Sequence, residues 1–189
     1  MREERQAERA ATEVLALLEN SAGAAYYGEP VTQLEHALQC AQLARDAGAS
    51  DDMVIAALLH DIGHMLEAED AQRHEEIGVI NHDDVGAEYL LKHGFPRRIA
   101  ELVRGHVDAK RYLTASNPSY AAKLSEASTA TLALQGGPMS REEAAAFQGD
   151  ALFAEKLRLR SWDEQAKRQG WQVAPLESYR QPLLNILNG

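Results

Sequence analysis

Leu58-Leu59-His60-Asp61-Ile62-Gly63-His64 ends an apolar run with the length and composition of a buried helix. If the helix continued through this stretch, His60 and His64 would lie on one face, with Asp61 close to the same face. Imidazole nitrogen and carboxylate oxygen are ligands that first-row transition metals accept. The stretch therefore predicts a metal site. A His-Asp pair is common by chance, so the prediction depends on further ligands elsewhere in the chain.

Length and composition are those of an ordinary globular protein. The chain has 189 residues, of which 45% are hydrophobic and 25% charged. This length is ample for a buried core, and we expect a single domain over residues 1–189. Within it, residues 1–20 should form an N-terminal helix, and residues 175–189 a C-terminal segment packed against the rest.

Several classes of partner are disfavoured by the composition. No stretch approaches the roughly 18–20 apolar residues of a membrane span, and the charged start Met1–Arg5 lacks the apolar core of a signal peptide. The single cysteine, Cys40, fits a reducing compartment and a small core residue. We therefore expect a cytoplasmic protein without a membrane partner. A net charge of −10 also argues against nucleic acid binding, and an anionic ligand would need a locally basic site.

Helix-forming residues dominate and β-branched runs are nearly absent, which predicts an all-α fold built as one helical bundle. Thr32 and Glu35 form a capping-box pattern at the start of a helix that should end at Gly48. The segment 65–80 is polar and irregular, and we expect a loop or lid there. The other predicted helices cover residues 3–19, 51–61, 82–93, 97–106, 117–124, 125–134, 141–147 and 150–169.

Further residues with metal-binding chemistry fall on separate predicted helices: His36, His82, His106 and Asp163. Taken singly, a histidine on an amphipathic helix is more often a surface or core residue than a ligand. Asp163 could equally be a surface acid paired with Arg160 or Lys167. We expect no site role for His74, which lies in the polar loop, or for His93, which lies beside Gly94.

The order His, His-Asp, His, His, Asp resembles the dinuclear branch of the HD superfamily, which includes myo-inositol oxygenase and small HD oxygenases that cleave carbon–phosphorus bonds. This resemblance implies the division of the ligands. One metal would be held by His36, His60, Asp61 and Asp163. The second would be held by His82 and His106, with Asp61 bridging the two cations and offsetting their repulsion.

Sequence outside the ligand set resembles the phosphonate-cleaving members most closely, over residues 26–163. The matching stretches are Tyr26-x-x-Glu29, Gln33–His36, Gly105–Tyr112, Ser125–Thr131, Gln135–Pro138 and Arg160-x-Trp162-Asp163. The resemblance implies that the phosphonate meets cationic and donor groups, which suits a dianion. These groups are His64, Lys110, Ser128, Gln135 and Arg160.

Tyr26 and Glu29 would meet the other end of the substrate. The resemblance implies that the tyrosine can occupy an iron position when substrate is absent, and that the glutamate faces a substrate amine. Tyr27 adds aromatic surface, which slightly favours a quaternary nitrogen. More ordinary interpretations also stand: Lys110 as a solvated charge, Ser128 as a helix-terminus hydroxyl, Gln135 as a turn residue, and Tyr27 as a core or surface residue.

The resemblance implies a dioxygenase with two iron ions in a mixed-valent Fe(II)/Fe(III) state and O₂ as co-substrate. Its substrate would be (R)-1-hydroxy-2-(trimethylammonio)ethylphosphonate, giving glycine betaine and phosphate, or the primary-amine analogue, giving glycine and phosphate. Tyr26, Glu29, His64 and Lys110 are the expected catalytic side chains.

Two alternatives remain for the function. A dinuclear HD phosphohydrolase acting on a nucleotide or phosphate ester would share the ligands, with metal-bound water as nucleophile. A non-catalytic HD module that binds a small ligand would predict a degraded ligand set, whereas all six ligand positions are filled. The sequence leaves the oligomeric state open.

Overall fold

One helix without an exposed face lies at the centre of the bundle. In the computed structural model, which describes residues 2–74 and 78–189, helix α3 spans Asp51–Leu59. Every residue from Met53 to Leu59 is buried. A helix that is apolar all round is stable only inside a protein, because each of its faces must pack against a neighbour. The stretch that follows it therefore begins deep in the molecule.

Nine further α-helices surround or extend from α3 within the described residues, and they confirm the predicted all-α fold. In chain order these are α1 (Arg2–Asn20), α2 (Gln33–Asp46), α4 (His82–Lys92), α5 (Arg97–Ser116), α6 (Pro118–Ala121), α7 (Glu126–Leu134), α8 (Arg141–Gln148), α9 (Phe153–Gln165) and α10 (Arg180–Asn188).

Packing around α3 brings together helices that are distant in sequence. Helices α2 and α5 lie against α3, α9 packs on both α2 and α5, and α4 packs along α5. Helices α1 and α10 pair with one another and close one side of the bundle. The main hydrophobic core draws buried side chains from all seven of these helices. This arrangement surrounds the C-terminal end of α3 with α2, α4, α5 and α9.

Local capping signals placed several helix starts correctly. Thr32 accepts from the backbone N–H of Glu35 while the Glu35 carboxylate accepts from the Thr32 N–H, so the predicted capping box is confirmed. Ser140 and Glu143 form a second capping box. Gly48 has a φ of 65°, the left-handed conformation expected just beyond α2. Ser50 precedes α3, but its side chain makes no capping hydrogen bond.

Three predicted elements differ from the structure. Helix α5 continues to Ser116, ten residues past the predicted end at His106. Helix α9 covers Phe153–Gln165 and not 150–169. Helix α3 ends at Leu59, so the predicted helix through His60 and Asp61 is wrong.

The polar segment after Met65 carries a small antiparallel hairpin. Strand β1 (Arg73–His74) pairs with β2 (Gly78–Val79), with Arg73 opposite Val79 and His74 opposite Gly78. Residues 75–77 of the predicted loop or lid lie outside the described residues. Across the parts of the chain that the structure describes, no helix combines the length and apolarity needed to cross a bilayer.

Candidate dinuclear metal site

A sharp change of backbone direction follows α3 and separates His60 from His64. His60 caps the helix, Asp61 has φ −101° and ψ 10°, and Ile62–Met65 forms a short 3-10 turn. The single helix face predicted for His60 and His64 is therefore wrong. Gly63 shows the reason, since a Cβ built on it would lie 1.9 Å from the carbonyl oxygen of His82. The turn lets the start of α4 approach the end of α3.

Six side chains converge beyond this turn as two clusters. The first cluster is His36, His60 and Asp163, and the second cluster is Asp61, His82 and His106. All six residues are buried. Within each cluster the potential ligand atoms lie within 4.8 Å of one another. Each cluster could hold a metal ion, and these are the six residues that the sequence singled out.

The four imidazoles share one orientation. The Nδ1 atoms of His36, His60, His82 and His106 bond to the carbonyl oxygens of Ala166, Ala57, Val79 and Val103, at 2.8, 2.8, 3.2 and 2.6 Å. Because a carbonyl can only accept, each Nδ1 must donate. Each neutral ring then presents an unprotonated Nε2, which is the atom that can bind a metal.

The Nε2 atoms meet in pairs at distances that fit two ligands of one metal ion. His36 and His60 are 3.1 Å apart at Nε2, and His82 and His106 are 3.0 Å apart. Two facing lone pairs repel unless a cation lies between them. Ligands that share one metal through bonds of about 2.1 Å lie about 3.0–3.4 Å apart, so each pair could bind a common cation.

Asp61 lies between the clusters and directs one oxygen towards each. Its Oδ1 is 3.2 Å from His82 Nε2 and 3.4 Å from His106 Nε2. Its Oδ2 is 3.4 Å from His60 Nε2 and 3.6 Å from His36 Nε2. Asp61 therefore has the geometry of a carboxylate that bridges two metals.

Buried oxygens without hydrogen-bond donors also point to metal. Oδ2 of Asp61 and Oδ1 of Asp163 are buried and accept no hydrogen bond. Burial alone would raise the pKa of Asp61, but the neighbouring imidazoles, first His60 and then His106, hold that pKa well below its ordinary value. Burial opposes ionisation of Asp163 too, while Arg160 and His36 keep its pKa well below the ordinary value. Two carboxylates held as anions in a buried site fit a bound cation.

A cavity of about 420 Å³ opens onto both clusters, and all seven predicted substrate contacts line it. Those residues are Tyr26, Glu29, His64, Lys110, Ser128, Gln135 and Arg160. Asp61, His82, His106 and Asp163 form part of the same wall, while His36 and His60 are fully buried. Residues from the loop before α2, from α5, from α7 and from α9 thus face one enclosed space.

Lys110 is a buried part of the cavity wall, so its interpretation as a solvated charge is wrong. The side chain is 3% exposed. Its ammonium donates to Thr131 Oγ1 at 2.9 Å and to Gln135 Oε1 at 2.5 Å. Burial, followed by repulsion from Arg160, lowers its pKa to about 7. Gln135 is held in turn by a hydrogen bond from its Nε2 to the carbonyl of Ile80.

Arg160 is closely tied to Asp163. Its Nη1 donates to Asp163 Oδ2 at 2.5 Å, its Nε donates to the Tyr120 hydroxyl at 2.9 Å, and it also pairs with Glu164. The predicted pairing of Asp163 with Arg160 is therefore present, but in the interior and not on the surface. Arg160 orients one carboxylate oxygen and leaves the other facing His36, at 3.3 Å.

Two aromatic stacks position side chains against the clusters. The Tyr26 ring lies parallel to the His36 ring at 4.1 Å between centroids. Burial, then the Asp61 and Asp163 carboxylates, raise the pKa of Tyr26 well above its ordinary value. His64 stacks on His82 at 4.0 Å. Burial and the neighbouring His82 lower the pKa of His64 to about 3, so it is neutral near pH 7 and can donate only one N–H.

Lys167 is a cavity residue to which the sequence assigned no site role. It lies just beyond α9 and lines the cavity, with its Nζ 2.9 Å from Glu29 Oε1. The Asp163-x-x-x-Lys167 spacing repeats His106-x-x-x-Lys110 in the sequence, but α9 ends at Gln165, so helical spacing does not place Lys167 beside Asp163. Two histidines left outside the ligand set lie elsewhere: His93 pairs with Glu13, and His74 is in the exposed hairpin. Cys40 is a buried free thiol that contacts His60.

Comparisons with known proteins agree with this site. The family model described as HD domain matches residues 34–155. An uncharacterized protein of Acanthamoeba polyphaga mimivirus is 40% identical over 93% of this chain and 80% of its own. A 1-hydroxy-2-(trimethylamino)ethylphosphonate dioxygenase (glycine-betaine-forming) of Leisingera caerulea is 41% identical over 80% of each chain. A hydroxymethylphosphonate dioxygenase of Gimesia maris is 43% identical over 83% of this chain and 78% of its own.

Proposed function

This chain belongs to the HD-domain family, and from that premise we propose that it is a diiron oxygenase that cleaves the C–P bond of a 1-hydroxyphosphonate. One observation carries the proposal. The bridging Asp61, the buried cation Lys110 and the cation Arg160 face the same cavity of about 420 Å³. That arrangement suits an anionic substrate beside two metals. The two relatives named as phosphonate dioxygenases support the same reaction class.

In this proposal the six clustered residues hold the metals. His36, His60 and Asp163 would hold one iron and His82 and His106 the other, and Asp61 would contribute to both. The bound Fe(II)/Fe(III) pair supplies the redox chemistry with O₂. The balanced reaction converts R–CH(OH)–PO₃²⁻ and O₂ into R–COO⁻, HPO₄²⁻ and one proton. Carbon loses its bonds to hydrogen and phosphorus and gains two bonds to oxygen.

The protein's own groups orient the phosphonate. Lys110 and Arg160 offer positive charge, Gln135 and Ser128 offer polar groups, and neutral His64 offers one N–H. An approaching dianion stabilises the charged form of Lys110, whose pKa lies near 7. Substrate binding therefore favours the protonated ammonium at neutral pH. The low polarisability of the buried surroundings of Lys110 and Arg160 strengthens their attraction to an anion.

Tyr26, Tyr27 and Glu29 line another part of the same cavity. The sequence predicted that Tyr26 and Glu29 meet an amino or trimethylammonio group of the substrate, with glycine or glycine betaine as product. We retain both compounds as test substrates, together with hydroxymethylphosphonate. The proposed reaction is common to all three.

The experiment that tests the reaction class is an oxygen-dependence assay. Iron-loaded protein is supplied with each hydroxyphosphonate in air and under strict anaerobiosis, and phosphate release and O₂ consumption are measured. One O₂ consumed per phosphate, and no phosphate without O₂, is the expected result. Phosphate released equally well without O₂ would replace the oxygenase with a dinuclear phosphohydrolase.

A further inference from the structure

Glu29 faces the cavity already paired with a cation of the protein itself. Its Oε1 lies 2.9 Å from Lys167 Nζ, and the two side chains are 9% and 13% exposed. The Lys167 ammonium also donates to Ser128 Oγ at 3.4 Å. Both residues line the cavity that opens onto the metal clusters. The Glu29 carboxylate, which would meet a substrate amine, is therefore already paired with the Lys167 ammonium.

Lys167 is held in this place by the backbone on either side of it. The carbonyl of Ala166 accepts from His36 Nδ1 at 2.8 Å. The buried Gln39 side chain makes two hydrogen bonds to the backbone of Arg168. Gln39 Oε1 accepts from the Arg168 N–H at 2.9 Å, and Gln39 Nε2 donates to the Arg168 carbonyl at 2.8 Å. These bonds fix the segment to α2 on both sides of Lys167. The Lys167 ammonium is thus part of the cavity wall and not a solvated surface charge.

A substrate cation beside Glu29 would also face the ammonium of Lys167, which pairs with Glu29 at 2.9 Å and with Glu164 at 3.5 Å. Like charges juxtaposed in a buried interface weaken binding, whereas an uncharged substituent leaves the Glu29–Lys167 pair intact. Gly28, Ala127 and Val107 supply apolar wall nearby, suited to a small neutral group.

We infer that Lys167 takes the place of a substrate ammonium on Glu29, so that this chain prefers 1-hydroxyphosphonates without a cationic nitrogen, of which hydroxymethylphosphonate is the simplest. This inference rests on the proposed function. It differs from the amino and trimethylammonio substituents that the sequence predicted. Lys167 is a specificity-determining residue that acts through Glu29.

Turnover and binding of three compounds test the inference: hydroxymethylphosphonate, 2-amino-1-hydroxyethylphosphonate and its N-trimethyl form. We expect kcat/KM and anaerobic affinity of the unaltered protein to favour hydroxymethylphosphonate by at least about tenfold, because like-charge juxtaposition is costly. Lys167→Met leaves Glu29 unpaired and should move the ratio towards the cationic compounds by about the same factor. The exposed Lys123→Met is the matched control and should leave the ratio unchanged.

Two further variants distinguish a change in substrate specificity from a folding defect in Lys167→Met. The double variant Glu29→Gln with Lys167→Met removes both charges and should restore the preference for hydroxymethylphosphonate. Glu29→Gln alone leaves Lys167 with only the longer ion pair to Glu164, at 3.5 Å, and should favour 2-carboxy-1-hydroxyethylphosphonate, which carries an anionic substituent.

The outcomes separate the two proposals. Preference of the unaltered protein for a cationic compound, or a ratio that Lys167→Met does not move, would overturn the role of Lys167 and leave the oxygenase standing. Absence of O₂-dependent phosphate release from every compound by iron-loaded protein would overturn the oxygenase itself.

Discussion

Asp61 is the residue on which both candidate metal positions depend. One of its oxygens faces His82 and His106, and the other faces His60 and His36. Each histidine pair belongs to one cluster, whereas the Asp61 carboxylate, a member of the second cluster, also faces the first. Changes at Asp61 and at a single histidine should therefore have different consequences for metal content.

Metal stoichiometry tests this division. His106→Ala, like His82→Ala, should lose one of two bound irons and all activity, because the second cluster keeps only two of its three ligands. Asp61→Asn should weaken both sites, since a neutral amide offers one weakly basic oxygen and cannot offset two cations. The measurement is iron per chain by elemental analysis after anaerobic loading. Two irons retained in His106→Ala and His82→Ala would contradict the ligand assignment.

Lys110 should be needed for function and costly for stability. Its pKa falls from about 10.5 unfolded to about 7 folded, mainly through burial and Arg160, while Asp163, Asp61 and Asp83 partly oppose the shift. The unfolded chain therefore holds more protons between pH 7 and pH 10.5, and stability rises with pH across that window. Burial of the charged Lys110 lowers the free energy of unfolding by its full amount below pH 7, and this destabilisation disappears as the pH approaches 10.5.

Lys110→Met is accordingly expected to stabilise the protein by roughly 2 kcal/mol at pH 7, after the loss of the hydrogen bonds to Thr131 and Gln135. The gain should shrink towards pH 10, while kcat/KM for a hydroxyphosphonate falls about a hundredfold. Denaturant unfolding at pH 6.5, 8 and 9.5 measures the first effect. A gain that is independent of pH would show that charge burial is not its source; exposed Lys123→Met should change neither quantity.

Residue types together with a family resemblance made much of the site predictable. Four histidines and two aspartates have metal-binding chemistry, and the resemblance of their order to the dinuclear HD proteins implied two metals. Lys167 was not predicted as a site residue because its position depends on hydrogen bonds from Gln39 and His36 to the neighbouring backbone. These two residues lie about 130 positions away in the sequence. Such long-range contacts leave no local pattern in the chain.

At the scale of elements, the turn between α3 and α4 sets the distance between the clusters. Gly63 lies against the backbone of His82, the first residue of α4 and a member of the second cluster. Gly86 on α4 packs back onto this turn, where a Cβ would lie 3.2 Å from the Gly63 nitrogen. The close approach of two backbones here requires glycine.

Gly63→Ala should separate α4 from the turn and displace His82. The added Cβ would lie 1.9 Å from a backbone oxygen, so the backbone must move, at a cost of about 3 kcal/mol or more. Loss of iron from the second cluster should accompany the loss of stability. Gly23→Ala is the matched control, because a Cβ there meets nothing within 4 Å. Unchanged iron content in a folded Gly63→Ala protein would refute this role for the turn.

Helix starts were more predictable than helix ends. Thr32 and Ser140 are N-cap residues whose hydrogen-bond partners lie within four residues in the sequence, so a local pattern was sufficient to predict these helix starts. Helix α9 ends earlier than its composition suggests because the Arg168 N–H, which a longer helix would direct to the Glu164 carbonyl, donates to the Gln39 side chain. His36 and Gln39 also donate to the carbonyls of Ala166 and Arg168 beyond the helix end. Helix α5 runs longer because Tyr112 packs against Phe147 and Phe153, a contact between distant segments.

At the scale of the whole molecule, the six ligand residues connect most of the bundle. They lie on α2, at the C-terminal end of α3 and just beyond it, at the start of α4, on α5 and on α9. The all-α fold followed from composition, whereas the single domain over residues 1–189 stays a prediction. Metal ions bound at this place would crosslink five elements through buried side chains.

Metal removal should therefore lower the stability of the entire bundle. A ligand present at a hundred times its Kd adds about 2.7 kcal/mol per site, and for a chain of this length each kcal/mol corresponds to roughly 2–4 °C in Tm. Chelation of iron-loaded protein should lower Tm by about 10 °C or more, and anaerobic Fe(II) should restore it. Ca²⁺ is the control and should restore little, because it prefers oxygen ligands and the clusters contain four imidazole nitrogens. Equal Tm values before and after complete removal of iron would mean that the bundle does not depend on these ligands being joined, and that the clusters hold metal weakly or not at all.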